Sequence, residues 1–75
     1  MINDNNIYDT VRNNIRKYRR LKCMTQQELA DASDLSHGYI REIESLHMKS
    51  TFSLDAVEKI ATALDIKVTQ LFEEE

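Results

Sequence analysis

The sequence predicts an all-α fold, a compact bundle of five short helices. Proline is absent and Gly38 is the one glycine, so the residues that usually form turns and bulges are scarce. Residues that favour helices, such as Leu, Ala, Glu, Lys, Arg and Gln, are plentiful. With 75 residues, 41% of them hydrophobic and 31% charged, the chain has the size and composition of a single folded domain, residues 1–75.

The first helix is predicted from about Asn6 to Lys22. No residue in this stretch interrupts a helix, and its apolar residues recur every three or four positions. These residues are Ile7, Val11, Ile15 and Tyr18. The spacing predicts that one face of this helix is buried.

Two further helices are predicted from their N-terminal capping residues. Residues 25–28 have the sequence Thr-Gln-Gln-Glu, a capping box in which the Thr25 hydroxyl and the Glu28 carboxylate each accept a backbone N–H. A turn at residues 33–36 then ends at Ser36, a second good N-cap. The third helix, from about His37 to Leu46, therefore follows the second after three or four residues.

The last two helices follow a loop over residues 47–51. Ser53 is the predicted N-cap of the fourth helix, whose buried face is formed by Leu54, Val57, Ile60, Ala61 and Leu64. Asp65 tolerates the left-handed conformation that often ends a helix. A short fifth helix is predicted from Ile66, Val68, Leu71 and Phe72, and residues 73–75 are predicted to form a flexible acidic tail.

Composition excludes several classes of function. One cysteine, Cys23, cannot form a disulfide within the chain, and His37 and His47 have no zinc-ligand spacing, so no metal or cofactor is expected. No apolar run approaches the ~20 residues of a membrane span, and the polar opening has no signal-peptide pattern, which predicts a cytoplasmic protein. The sequence has no catalytic constellation and no evident small-molecule site, so we expect no enzyme.

Charge is distributed unevenly along the chain. The net charge is −3, which by itself disfavours nucleic acid as a partner. Residues 1–24, however, contain only two acidic residues beside six basic ones: Arg12, Arg16, Lys17, Arg19, Arg20 and Lys22. This basic stretch is either a solvated helix face or part of a surface that contacts phosphates.

The second and third helices have the spacing of a helix-turn-helix, at about residues 25–45. In such a pair the first helix lies across the DNA backbone and the second places its N-terminal side chains in the major groove. The N-terminal end of the helix that enters the groove, here the third helix of the chain, then needs small or polar residues. This chain has them at positions 36–39: Ser36, His37, Gly38 and Tyr39. The spacing indicates binding to double-stranded DNA.

Several motifs in the same order resemble the lambda-repressor-like, or Xre, helix-turn-helix family. They are Ile15-x-x-x-Arg19, Met24-Thr25-Gln26-x-Glu28-Leu29-Ala30, Leu35-Ser36, Tyr39-Ile40, Ile43-Glu44 and Ile60-Ala61-x-Ala63-Leu64. The resemblance covers residues 12–72 and implies a five-helix domain whose third helix contacts bases. It also implies a structural ion pair between Arg19 and Glu44, which would join the first helix to the third.

The resemblance further implies a set of DNA-binding residues. In the family, the residue at the position of Gln26 binds a phosphate and supports the base-contacting residue at the position of His37. The complete expected set is Thr25, Gln26, Ser36, His37, Gly38, Tyr39, Arg41, Glu42 and Lys49.

Alternatives remain open for individual residues of this set. His37 contacts either a base or a phosphate, and at Gly38 either the helix backbone approaches DNA closely or the position contacts nothing. Arg41 binds guanine, a phosphate or a neighbouring carboxylate. Glu42 accepts from cytosine or is solvated, and Lys49 is expected to contact a phosphate.

The chain departs from the family pattern at two places. The loop after Glu44 is about two residues longer than usual, and Leu46 and Ser50 stand near positions where Gly and Pro are common. Cys23 stands where many relatives have Gly, and a left-handed backbone there would strain it mildly. Sequence alone also leaves open whether Arg16 and Arg20 face the DNA.

One such module contacts only a few base pairs, so we expect a homodimer on a palindromic operator. The expected function is sequence-specific transcriptional regulation, as a repressor or controller protein. Candidate interface residues are Ile66, Val68, Leu71 and Phe72. The alternative is a protein-interaction module, such as an antitoxin whose acidic C-terminus covers a basic toxin.

Overall fold

The structure is a computed structural model that describes residues 6–74. The helices in these residues are α1 (Ile7–Leu21), α2 (Gln26–Ser33), α3 (His37–Glu44), α4 (Leu54–Leu64) and α5 (Val68–Leu71). No strand is present in the part of the chain that is described. The predicted all-α fold of five short helices is confirmed.

The starts of α1 to α4 each follow from a local side-chain cap. The Thr25 hydroxyl accepts the N–H of Glu28 at 3.0 Å while the Glu28 carboxylate accepts the N–H of Thr25 at 2.8 Å, as the capping box predicts. Ser36 and Ser53 cap α3 and α4 in the same way, through the hydroxyl of each. Because every cap lies within three residues of its partner, these starts are visible in the sequence.

One hydrophobic core is shared by all five helices. Its members are Val11, Ile15, Leu29, Ala30, Ile40, Ile43, Val57, Ile60, Ala61, Leu64 and Leu71. Ile7 and Leu54, predicted to be buried, are instead 48% and 74% exposed, because each is the first residue of its helix and lies beyond the core. Leu71 is fully buried, so the prediction that it lies in a dimer interface is wrong. The short α5 must place one large side chain in the core to be held there, and Leu71 is that side chain. Ile66, Val68 and Phe72 pack at the edge of the core and remain partly exposed.

Helix α3 ends at Glu44, two residues before the predicted end at Leu46. Ser45 has an extended backbone, and its hydroxyl accepts the N–H groups of His47 at 3.2 Å and Met48 at 3.1 Å. The hydroxyl thus forms a local turn that competes with continuation of the helix.

The loop between α3 and α4 is held by Arg12, whose side chain is only 1% exposed. Its Nη1 atom donates to the carbonyl of Ile43 at 2.9 Å and, more weakly, to that of Ser45 at 3.5 Å. Its Nη2 atom donates to the carbonyl of Ser50 at 3.1 Å, and its Nε atom to Asp9 at 3.0 Å. Arg12 belongs to the basic stretch that was predicted to lie at the surface, whereas it is a buried structural residue.

The C-terminal segment is attached to α1 through Asn14. The Asn14 side-chain amide donates to the carbonyls of Leu71 and Glu73, each at 2.8 Å. The acidic tail predicted to be free from residue 73 is therefore bound at its first residue, because a buried amide at position 14 needs acceptors there. Glu75 lies outside the described residues.

Candidate nucleic-acid interface

The helix-turn-helix is formed by α2, α3 and the turn between them. Asp34 adopts a left-handed backbone with φ of 61°, and the next N–H, that of Leu35, donates to the carbonyl of Ala30 at 3.0 Å. Four fully buried side chains hold the inner faces of both helices in the core: Leu29, Ala30, Ile40 and Ile43. The orientation of α3 relative to α2 is therefore set by packing.

The outer face of α3 is free for a partner. Ser36, Gly38, Arg41 and Glu42 are exposed, and His37 is half-buried. Tyr39 is also half-buried, because part of its side chain packs against the core. The residues predicted to contact DNA from this helix thus lie on one accessible surface, with Tyr39 at its edge.

Arg19 and Glu44 form the predicted ion pair. Arg19 donates from Nε to Glu44 Oε2 at 2.7 Å and from Nη2 to Oε1 at 3.0 Å. Its Nη1 atom donates to the carbonyl of Met24 at 2.8 Å. The two side chains are 12% and 3% exposed, so the pair links α1 to α3 with little access of water.

Gln26 also joins this network. Its side-chain amide Nε2 atom donates to Glu44 Oε1 at 3.1 Å. The Arg19–Glu44 pair therefore also orients the first residue of α2, on the side of the helix-turn-helix that faces Arg19.

An open basic cleft lies beside α3. Its volume is about 270 Å³, and its lining residues are Arg16, Arg19, Arg20, Gln26, Arg41, Glu44, Ser45, Leu46 and His47. The structure thus gives the rotation of α1 that the sequence left open: Arg16 and Arg20 face the same cleft as Arg41. Because Arg19 and Glu44 compensate each other, these three arginines make the cleft positive, and none of them has an ion-pair partner among residues 6–74.

A second depression, here called the Gly38 hollow, lies on the front of α3. It has a volume of about 390 Å³ and is lined by Gly38, Arg41, Glu42, Ser45 and Met48. A Cβ atom added at Gly38 would have no neighbour within 4 Å. Arg41 borders both the cleft and the hollow, so the two depressions form one continuous surface.

Besides Gln26 and Ser36, two further residues of the expected DNA-binding set have side-chain partners within the protein. Lys49 has a left-handed backbone with φ of 53°, and its Nζ atom lies 3.5 Å from Asp9 Oδ2. Its side chain is still 61% exposed. The Thr25 hydroxyl is engaged in the capping box, although the residue itself is exposed. Contacts of either residue with DNA remain predictions.

Other kinds of site have little support in the described part of the chain. Residues 6–74 contain no group of three or more His, Cys, Asp or Glu side chains that could hold a metal ion. Within the same residues, no helix is both long and apolar enough to cross a membrane. Cys23 is exposed and has φ of 56°, the left-handed conformation expected there from the family pattern.

Sequence reasoning missed Arg12, Asn14 and the Gly38 hollow. A signal for Arg12 existed, since it lies four residues after Tyr8 and three before Ile15 and thus falls on the buried stripe of α1. A charged residue on such a stripe needs acceptors from elsewhere in the chain, which a single sequence does not identify. The hollow depends on how Met48 in the loop folds back beside Gly38, and no local pattern predicts that.

Comparison with known proteins gives matches in sequence family and in structure. A helix-turn-helix family model matches residues 15–71. The restriction-modification controller protein C.AhdI from Aeromonas hydrophila is 32% identical, with a TM-score of 0.78 over 87% of this chain and 96% of that chain. The hypothetical transcription factor NHTF from Neisseria is 26% identical, with a TM-score of 0.84 over 97% of this chain and 82% of that chain.

A third structure similar to this chain is a nucleoprotein complex of C.Esp1396I. It is 24% identical, with a TM-score of 0.76 over 95% of this chain and all of that chain (100%), and at this identity it shows the fold alone. No curated protein matches the chain in sequence.

Proposed function

We propose, because this chain belongs to the Xre-type helix-turn-helix family of DNA-binding transcription regulators, that it is a sequence-specific repressor or controller protein. It binds a palindromic operator as a homodimer, and each protomer places α3 in the major groove.

One observation carries this proposal: the exposed face of α3 is continuous with the basic cleft. The inner face of the helix is fully buried, while its outer face lies beside Arg16, Arg20 and Arg41, which have no ion-pair partners among the described residues. Base edges require hydrogen-bonding side chains, and the flanking phosphates require cations. The two adjacent surfaces offer both, in the arrangement that a helix in a major groove needs.

Each residue then has a role set by its position and chemistry. Arg41, exposed on the outer face, donates to guanine O6 and N7, and His37 at the start of the helix contacts a base edge. Glu42 accepts from cytosine N4, which favours specificity at some cost in affinity. Gln26 and Ser36, at the N-terminal ends of α2 and α3, lie where helix dipoles and free N–H groups favour phosphate.

The role of controller protein is supported by the 32% identity to C.AhdI, whose name describes a restriction-modification controller. Dimerisation is supported by apolar side chains that the core leaves partly exposed in and around α5: Ile66, Val68 and Phe72.

The experiment that tests this function is selection of bound duplexes from a random DNA pool at ~0.15 M salt. A two-fold symmetric motif with half-sites about one helical turn apart is the expected result. Recovery of duplexes without a common motif would contradict the proposal.

The variant Arg41→Ala should lose its preference for one base pair in each half-site, by about 1–3 kcal/mol. Lys59→Ala, on α4 and outside the cleft, is the matched control.

A further inference from the structure

Gly38 is not required by the fold. It is the second residue of α3, its φ is not positive, and a Cβ atom there would meet nothing within 4 Å. Glycine within a helix is unfavourable relative to alanine because it loses more backbone freedom on folding. The protein therefore has a less stable helix than alanine would give, and nothing inside the chain explains the glycine.

The surroundings of Gly38 are those of a small binding subsite. The hollow has an apolar wall formed by Met48, which is 58% exposed, and its other lining side chains are Arg41, Glu42 and Ser45. An exposed methionine beside a position without a side chain lets an apolar group approach the backbone of α3.

We propose that the Gly38 hollow receives the 5-methyl group of a thymine in the major groove, and that Gly38 is a specificity-determining residue. This inference rests on the proposed DNA-binding function. In B-DNA the thymine methyl is the apolar group that the major groove presents, and apolar protein atoms are its preferred contacts. The Cα atom of Gly38 and the Met48 side chain supply such atoms.

A phosphate is a poor occupant of the hollow. In the hollow the Glu42 carboxylate offsets the charge of Arg41, whereas the neighbouring basic cleft adds Arg16 and Arg20 to Arg41 with no such acid beside them. The excess of positive charge therefore lies in the cleft, which suits the DNA backbone, and the hollow suits a base edge better.

The first test compares stability with DNA binding in Gly38→Ala. The added methyl group should raise the melting temperature by a few degrees, because alanine favours the helix and meets no protein atom. It should also keep the thymine methyl group from reaching the Gly38 backbone and so weaken binding to the selected duplex about tenfold, as overpacking does. The control Thr62→Ala, at an exposed position of α4, should stabilise the fold similarly and leave binding unchanged.

The second test removes the methyl group from the DNA. Each thymine of the selected duplex is replaced in turn by uracil, which differs only in lacking that group. One replacement per half-site should weaken wild-type binding about fourfold. On that uracil duplex, Gly38→Ala should weaken binding much less than it does on the thymine duplex. The four affinities form a double-mutant cycle between the methyl group added to the protein and the methyl group removed from the DNA. Met48→Gln should reduce the preference for thymine over uracil.

The outcomes separate this inference from the function on which it rests. If wild-type protein binds a symmetric motif but Gly38→Ala binds it equally well, or no uracil replacement weakens binding, the hollow is not a methyl subsite and the DNA-binding function stands. If wild-type protein selects no motif, the proposed function fails and this inference fails with it.

Discussion

Glu44 is a nearly buried carboxylate whose charge is compensated by Arg19. Removing Arg19 leaves that charge without its cation, and breaking such a pair is costly even where the intact pair adds little net stability. Arg19→Met should lower the free energy of unfolding by about 3 kcal/mol, measured by urea denaturation. The double variant Arg19→Met/Glu44→Gln should lose less free energy of unfolding than the two single variants lose together.

The control for this pair is Lys59→Met, which breaks an exposed pair. Lys59 Nζ lies 3.5 Å from Asp55 Oδ2, and the side chains are 45% and 72% exposed. This variant should change stability by less than about 0.5 kcal/mol. Equal losses in Arg19→Met and Lys59→Met would contradict a special role for the buried pair.

Cys23 has a conformation that suits glycine better than cysteine. A left-handed backbone costs an L-residue about 1–2 kcal/mol, and glycine avoids this strain. Part of the gain in stability is offset, because glycine gives the unfolded chain more conformational freedom. Because Cys23 is exposed, Cys23→Gly should lose little packing and raise stability by about 0.5–1 kcal/mol, measured by thermal unfolding. The control Lys22→Gly, at φ of −87°, should give no such gain.

At the scale of elements, helix starts were predictable and one helix end was not. The caps at Thr25, Ser36 and Ser53 bond to groups three residues away, so the sequence contains the whole interaction. The end of α3 depends also on Arg12, which binds carbonyls 31 to 38 residues distant along the chain. The Arg19–Glu44 pair, 25 residues apart, was predicted through the family resemblance alone.

The loop between α3 and α4 is expected to lose its order when Arg12 is replaced. In Arg12→Met the carbonyls of Ile43 and Ser50 lose their charged donor, and unsatisfied buried acceptors cost about 1–3 kcal/mol each. Backbone N–H groups of residues 47–52 should exchange with solvent faster, while those of α2 remain protected; hydrogen exchange at resolved amides measures this.

Two further variants separate the role of Arg12 from its charge. Arg16→Met, on the same helix and without a hydrogen-bond partner among residues 6–74, should leave exchange in the loop unchanged. Arg12→Lys keeps the charge but cannot match the forked donors of arginine, so it should restore only part of the protection. Unchanged loop exchange in Arg12→Met would show that the loop is held by other contacts.

At the scale of the whole molecule, a net charge of −3 is compatible with DNA binding because the charges are segregated. The basic cleft predicts that Arg16 and Arg20 neutralise phosphates. Each of Arg16→Gln and Arg20→Gln should reduce the slope of log K against log salt by about 2 for a dimer and weaken all sequences alike. Lys59→Gln should leave the slope unchanged, and a change in sequence preference would instead make the altered arginine a base contact.

In the proposed homodimer the affinity for DNA depends on the dimer surface, since a monomer offers only one α3. Val68, partly exposed at the start of α5, is the sharpest place to test it, because a lysine there would be desolvated in a two-fold interface. Val68→Lys should sediment as a monomer at concentrations where wild-type protein is a dimer, and it should bind the selected duplex more weakly with the same half-site preference. Leu54→Lys is the matched control, since Leu54 is 74% exposed on α4. If Leu54→Lys dissociates the dimer and Val68→Lys does not, the interface lies on α4 and the assignment to α5 is wrong.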